Sequence, residues 1–152
     1  MKRSQVSRIA VTALLVFIVA RPALAREEPS VAELKERLAN TDLRNRPALC
    51  IRISELELNA AGRLYNSGAI LPAQAALADV VSFAGLAREY AIQTHKHEKE
   101  SEIALRRAAH KLADLKHAIS RDDQAAVQNA IDRLQRFRDD LLSAMFPHGG
   151  AE

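Results

Sequence analysis

Cysteine, tryptophan and aromatic residues in general are scarce in this sequence. Of its 152 residues one is cysteine, none is tryptophan and 4% are aromatic, while glycine and proline number five each. A β-sandwich or barrel needs many turns and strands rich in β-branched or aromatic residues, so this composition excludes those folds. A single cysteine likewise excludes an internal disulfide framework and a zinc knuckle built on cysteines. A composition of 48% apolar and 27% charged residues with so few aromatic, glycine and proline residues predicts an all-α protein instead.

Residues 1–25 have the pattern of a secretory signal peptide. Lys2, Arg3 and Arg8 provide a positive start, and residues 9–20 form an uncharged, mostly apolar run. We expect cleavage after Ala25, at the end of a small-residue site. The apolar run has 12 residues, fewer than the roughly 20 that span a bilayer. The sequence therefore predicts a periplasmic or secreted protein without a stable membrane anchor after signal cleavage.

The balance of charge changes once this segment is removed. The chain carries 22 basic and 19 acidic residues, and the four basic residues of segment 1–25 leave with it. The remaining 18 basic residues are matched by the 19 acidic ones. Proteins that bind nucleic acid carry a clustered basic excess, so we expect no nucleic-acid partner.

Turn and capping residues divide the rest of the chain. Segment 26–46 is predicted to be a leader with a short helix, because Ser30 and Glu33 have the spacing of a capping box. A helical domain over residues 47–146 and a flexible tail over 147–152 follow. Its first helix opens at Pro47 and ends at Gly68. The predicted apolar stripe of this helix, with Cys50 at its edge, consists of Leu49, Ile53, Leu56, Ala60 and Leu64.

A single apolar heptad pattern then continues from Leu77 to Ile119. Within residues 73–119 the only glycine or proline is Gly85, and the heptad phase does not change. We expect one continuous helix there, about 70 Å long at 1.5 Å per residue. The alternative is a turn near residues 95–100, where the seam becomes polar, which would give a compact four-helix bundle. The lack of turn residues favours the continuous helix.

The last helix is predicted to begin at Ser120, with two aspartates in its first turn where the helix dipole favours negative charge. Short connections make consecutive helices antiparallel neighbours. We therefore expect an elongated antiparallel bundle, in which the second helix packs on the front half of the long helix and the last helix on its rear half. An internal similarity supports two hairpins, since residues 74–77 (QAAL) recur as 124–127 (QAAV). The predicted apolar side of the last helix consists of Val127, Ala130, Ile131, Leu134, Phe137, Leu141 and Met145.

Two groups of side chains are candidate sites. His110, Asp114 and His117 fall at i, i+4 and i+7 of one helix and are residue types that zinc or copper accepts. Tyrosine and arginine are enriched at binding hot spots, so Tyr65, Arg88 and Tyr90 are candidate interaction residues, although tyrosines that cap a core are the alternative interpretation. We expect no cofactor. The heptad register places the candidate metal ligands away from the apolar seam, where a solvated surface also explains them.

Two resemblances concern the helical domain. Residues 64–68, 102–106 and 140–146 are similar to segments of uncharacterised exported helical bacterial proteins, which implies an all-helical exported fold and no known activity. The first hairpin, with Tyr65, Gly68, Ala84 and Ala87, is similar to a tetratricopeptide repeat unit.

These patterns together predict a non-enzymatic, exported protein. No motif for nucleophilic catalysis, phosphate binding or a di-iron centre is present in the sequence. We expect a module that interacts with a protein partner or with itself. The alternative is a periplasmic metal-binding or stress-sensing bundle that uses the histidine stripe.

Overall fold

The computed structural model describes residues 29–147. They form five helices and no strand, which confirms the predicted all-α bundle. The predicted signal peptide and most of the predicted tail lie outside these residues. The helices are α1 (Val31–Ala39), α2 (Arg46–Asn66), α3 (Ile70–Thr94), α4 (Glu98–Ala118) and α5 (Gln124–Met145).

Capping residues set several helix ends as the sequence predicts. At the start of α1, the Glu33 N–H donates to Ser30 Oγ and the Ser30 N–H donates to Glu33 Oε2, which completes the capping box. After α2, Gly68 has a φ of 77°. The Ala69 N–H then donates to the Leu64 carbonyl at 2.9 Å, the six-residue hydrogen bond of a Schellman motif. Gly68 therefore ends α2 without side-chain strain.

The predicted continuous helix over residues 73–119 is wrong. Helix α3 ends at Thr94 and α4 begins at Glu98. Between them His95 and His97 adopt left-handed backbone angles, with φ of 52° and 58°. Histidine is one of the few non-glycine residues enriched in this region, which is why a search for glycine, proline and asparagine finds no turn here. The folded-back four-helix alternative is the arrangement present.

Burial of apolar surface explains why the chain turns despite the strained backbone. A left-handed residue other than glycine costs about 1–2 kcal/mol, whereas full burial of one Val, Leu or Ile side chain contributes about 1.5–3 kcal/mol. The core contains residues of α3 and α5 together, including Val80, Val81 and Ile131. A continuous rod would leave the α3 face that α5 covers in water. A few buried side chains thus outweigh two strained residues.

Two antiparallel hairpins lie side by side in the structure. Hairpin 1 comprises α2 and α3 (residues 46–94), and hairpin 2 comprises α4 and α5 (residues 98–145); this confirms the predicted helix pairs. Helix α3 lies beside α5 and α2 beside α4, each pair running in the same direction. Positions that meet across the two hairpins are 52 residues apart: Glu55 with Arg107, Gly85 with Phe137, and Arg88 with Asp140.

The two hairpins also bury corresponding positions. The buried residues of α3 and α5 match at a constant offset of 50 residues, the same offset as the QAAL and QAAV segments. Hairpin 2 is therefore related to hairpin 1 by a sideways shift, as in a stack of repeated hairpins. The matching pairs are Leu77 and Val127, Val80 and Ala130, Val81 and Ile131, Ala84 and Leu134, and Ala91 and Leu141.

Three smaller expectations need correction. Helix α3 begins at Ile70, ahead of the predicted helix over residues 73–119, and α5 begins at Gln124 rather than Ser120. Residue Ser120 instead donates its hydroxyl to Asp123, the residue that precedes α5. The buried side of α2 is turned by about one residue from the predicted stripe, because α2 contacts α1, α3 and α4 rather than one neighbour. Its buried residues are Pro47, Cys50, Ile53, Ser54, Leu58, Ala61 and Tyr65.

By length and composition alone, helix α3 could cross a membrane. Its mean hydropathy is 1.6 over its most apolar window. Eight of its residues are buried inside the protein, and five of them match buried positions of α5. A central helix of a bundle has the same composition as a membrane span.

Candidate interaction surface

The three predicted interaction residues lie at separate places in the bundle. Tyr65 is 5% exposed, near the C-terminal end of α2. Its hydroxyl is buried without a hydrogen-bond partner. Burial, and to a smaller extent the charge of Asp123, raises the pKa of this phenol. Tyr65 therefore belongs to the core in this fold and is not available to a partner.

Tyr90 and Arg88 join helices to one another. Tyr90 lies near the opposite end of the bundle from Tyr65, where Arg46 Nη1 is 3.5 Å from its hydroxyl and the Arg46 guanidinium is 5.4 Å from its ring centre. Arg88 Nη1 is 3.4 Å from Asp140 Oδ2, and its guanidinium stacks over Phe137 at 5.1 Å. The alternative interpretation, in which tyrosines cap the core, describes both tyrosines better than a shared binding surface does.

The candidate metal ligands do not form an enclosed site. The His110 and Asp114 side chains are 81% and 71% exposed, and His110 Nε2 is 4.0 Å from Asp114 Oδ2. His117 is exposed on the following turn. Within residues 29–147 no group of three or more His, Cys, Asp or Glu side chains is placed to hold a metal ion. The i, i+4, i+7 stripe spreads over two turns of a solvated helix face.

Cys50 is a free thiol with no exposed surface. Burial raises its pKa from 9.0 to about 12, with a smaller opposing effect from the charge of Arg46. The thiol is therefore protonated near neutral pH, and a nucleophile or metal ligand must be a thiolate. Its burial also keeps it from a disulfide with another chain while the protein is folded.

Helix α1 covers the outer face of hairpin 1. Leu34 is buried there, and Lys35 Nζ donates to Asp79 Oδ2 at 2.7 Å and to Glu57 Oε1 at 3.2 Å. The bond to Asp79 is the largest influence that raises the Lys35 pKa. The Lys35 ammonium also lies 5.2 Å from the centre of the Phe83 ring. One end of the stack is thus closed by a helix.

No helix among residues 29–147 covers the outer face of hairpin 2. A groove of about 280 Å³ lies between α4 and α5 and is lined by residues of these two helices alone. Its floor is apolar, and its rim contains two arginines, a histidine and a glutamine but no carboxylate. We call it the open groove; its floor is Ala109 and Ala113 over the buried Leu105, Ile131 and Leu134, and its rim is Arg106, His110, Gln135 and Arg138.

The repeat relation shows what the open groove corresponds to. At the offset of 50 residues, Ile131, Gln135 and Arg138 correspond to Val81, Gly85 and Arg88 of hairpin 1. Those three positions of α3 face α5: Val81 lines a cleft with α5, a Cβ atom on Gly85 would lie 3.2 Å from Phe137, and Arg88 pairs with Asp140. The open groove is therefore the counterpart of a face that already holds a helix.

A partly buried ion pair lies at the rim of the groove. Arg138 Nε donates to Glu102 Oε1 at 2.6 Å, and Glu102 is 8% exposed. Arg106 approaches the same carboxylate at 4.0 Å. Because one carboxylate is shared by two guanidinium groups, the rim keeps a net positive charge. The pair joins α4 to α5 beside the groove.

Two other grooves, of about 400 and 330 Å³, lie along the seams where hairpin 1 meets hairpin 2. Each is lined by helices that already contact one another, so a ligand there would lie beside a completed interface. The sequence did not indicate the open groove, because its shape depends on how α4 and α5 pack against each other. The repeat offset was the one sequence signal that could have located it.

Comparisons with protein-family models, curated proteins and solved structures find no match for this chain. The resemblances to exported helical proteins and to a tetratricopeptide repeat therefore stay predictions.

Proposed function

We propose that this protein is an exported, non-enzymatic interaction module that binds a helix of a protein partner in the open groove. The observation that carries the proposal is the correspondence between the open groove and the α3 face that holds α5. A stack of hairpins buries each face with the next element, and here the last face has no next element among residues 29–147.

The contacts on hairpin 1 suggest the chemistry of the partner helix. There, α5 places an aromatic ring, Phe137, against α3 and an acidic residue, Asp140, beside Arg88. The open groove has an apolar floor and a basic rim that includes Arg106 and Arg138. A helix with an apolar stripe flanked by acidic residues complements both features, as helices bound in grooves do elsewhere.

The export part of the proposal rests on residues 1–25. Cell fractionation followed by N-terminal sequencing tests it directly. We expect the protein in the periplasm or the medium, with Arg26 as its first residue. A protein that retains Met1 in the cytoplasm would contradict export and leave the groove proposal to its own test.

Site-specific photo-crosslinking in the producing cell tests the groove. A photoreactive residue replaces His110 on the rim in one variant and Asn59, exposed on α2, in a matched control. We expect a discrete adduct from position 110 and none from position 59. Adding Ala109→Arg to the position 110 variant fills the floor with a long cationic side chain and should remove the adduct.

An adduct that forms equally from both positions, or that survives Ala109→Arg, would contradict binding in the groove. The thermal midpoint of each purified variant is measured alongside, because loss of the adduct counts only while the bundle remains folded.

A further inference from the structure

The connection between the hairpins is short, and its backbone is strained. Only residues 95–97 separate α3 from α4, and two of the three, His95 and His97, hold left-handed backbone angles. The exposed His95 side chain contacts Glu98, with Nδ1 3.1 Å from Oε1. A short hinge under strain is the local feature that favours exchange of a domain between copies.

The sequence of the hinge is compatible with a helix. The heptad positions keep one phase through it, with Ala84 and Ala91 before the turn and Leu105 and Leu112 after it. No glycine or proline lies between Gly85 and Pro147. Lys96 and Glu100 would become an attractive i, i+4 pair on a continuous helix. A helical conformation of this segment would therefore relieve the strain at His95 and His97.

The interface that opens when the hinge straightens can form again between two chains. Hairpin 1 and hairpin 2 meet through Arg88 with Asp140, Gly85 with Phe137, and Glu55 with Arg107. None of these pairs involves the hinge residues. Hairpin 2 of a second copy can dock on hairpin 1 with the same atoms in the same places.

We propose that the protein forms a domain-swapped dimer in which α3 and α4 of each chain join into one helix. Hairpin 2 of each chain then packs on hairpin 1 of the other. His95 and His97 of both chains then adopt helical instead of left-handed backbone angles. The contacts between hairpin 1 and hairpin 2 are kept, now between two chains. A two-fold axis relates the copies, as in most homodimers. This proposal does not depend on the open groove, which stays outside the exchanged interface.

Two matched double variants of the chain starting at Arg26 test the hinge. His95→Ala with His97→Ala favours the joined helix, because alanine is the best helix former and tolerates left-handed angles poorly. His95→Gly with His97→Gly favours the closed turn, because glycine adopts those angles freely. Both remove the same imidazoles, so the comparison isolates the backbone.

Each variant is refolded at low and high protein concentration and its mass is measured by light scattering after gel filtration. We expect the dimer dissociation constant to be at least about tenfold lower for the alanine pair than for wild type, and at least about tenfold higher for the glycine pair. Equal constants for the two variants would overturn the proposal. So would an alanine pair that is folded and monomeric at every concentration.

A second measurement separates a swapped dimer from an ordinary one. Wild-type chains that carry Glu55→Cys are refolded together with chains that carry Arg107→Cys and treated with a short bismaleimide crosslinker. Because Glu55 and Arg107 are 3.9 Å apart at their charged atoms, an adduct between chains is expected in a swapped dimer. A dimer without this adduct, or one in which Glu55→Cys chains link to each other equally well, would overturn the proposal. This test uses the wild-type hinge and stays decisive if a hinge variant does not fold.

Discussion

Single residues decide where this chain turns and what its ionisable groups do. His95 and His97 form the turn with left-handed backbone angles, although neither is a glycine or a proline. Cys50, which the sequence placed at the edge of a stripe, lies fully inside it because α2 contacts three other helices. The surrounding helices, rather than residue type, set the backbone angles of the two histidines and the burial of Cys50.

At alkaline pH, Cys50 is expected to destabilise the fold. Its thiol pKa is 9.0 in the unfolded chain and about 12 in the folded protein, so the unfolded state loses the proton first. The stability that it contributes is complete below pH 9 and is lost as pH rises towards about 12, by at most about 1.4 kcal/mol per pH unit. Urea unfolding at stepped pH measures this loss.

Because the pKa values of Lys35 and Tyr65 are also raised on folding, both groups add to the pH dependence, and the same profile for Cys50→Ala is subtracted. A difference between the two profiles that stays flat above pH 9 would contradict the assignment to Cys50.

Truncation of a buried side chain should cost much more than truncation of an exposed one of the same type. Leu134 has no exposed surface, so Leu134→Ala should lower the free energy of unfolding by about 2–5 kcal/mol. Leu71 is 79% exposed, so Leu71→Ala should change it by less than about 0.5 kcal/mol. Urea unfolding of both variants checks the pair, and similar losses would mean that the core does not include Leu134.

At the scale of helices, periodicity and length predicted the helix pairs correctly. The stripes of α3 and α4 share a phase, and α2 and α5 pack on them as short connections require. The sequence could not show that the two pairs would pack against each other, because the buried seam looks the same in a rod and in a folded-back bundle. Burial of the α3 face that corresponds to the open groove depends on this second step of packing.

Two helical glycines test how closely the hairpins approach. Gly62 has open space around an added Cβ atom, so Gly62→Ala should raise the free energy of unfolding by about 1 kcal/mol through helix propensity. At Gly85 the added Cβ atom would lie 3.2 Å from Phe137. Gly85→Ala should therefore raise the free energy of unfolding by less than Gly62→Ala does, or lower it. Thermal or urea unfolding compares them. An equal increase in the free energy of unfolding at both positions would show that α3 and α5 do not approach closely at Gly85.

For the whole molecule, folding back at His95 replaces a long rod with two short hairpins. The longest helix has 25 residues, about 38 Å at 1.5 Å per residue. Small-angle scattering of the monomer should therefore give a maximum dimension of about 45 Å rather than the 70 Å of a continuous helix. A monomer near 70 Å would contradict the turn, whereas that length in a dimer is expected for the swapped form.

The sequence by itself determined the all-α class, the capped start of α1, the end of α2 at Gly68 and the pairing of helices into hairpins. Each depends on nearby residues, whose spacing and turn chemistry are written in the chain. Only the tertiary structure decided the turn at His95 and His97 and the burial of the α3 face that corresponds to the open groove. Both depend on whether burial of apolar surface between the hairpins stabilises the fold by more than the left-handed turn destabilises it. That balance involves residues about 50 positions apart, which local sequence patterns do not contain.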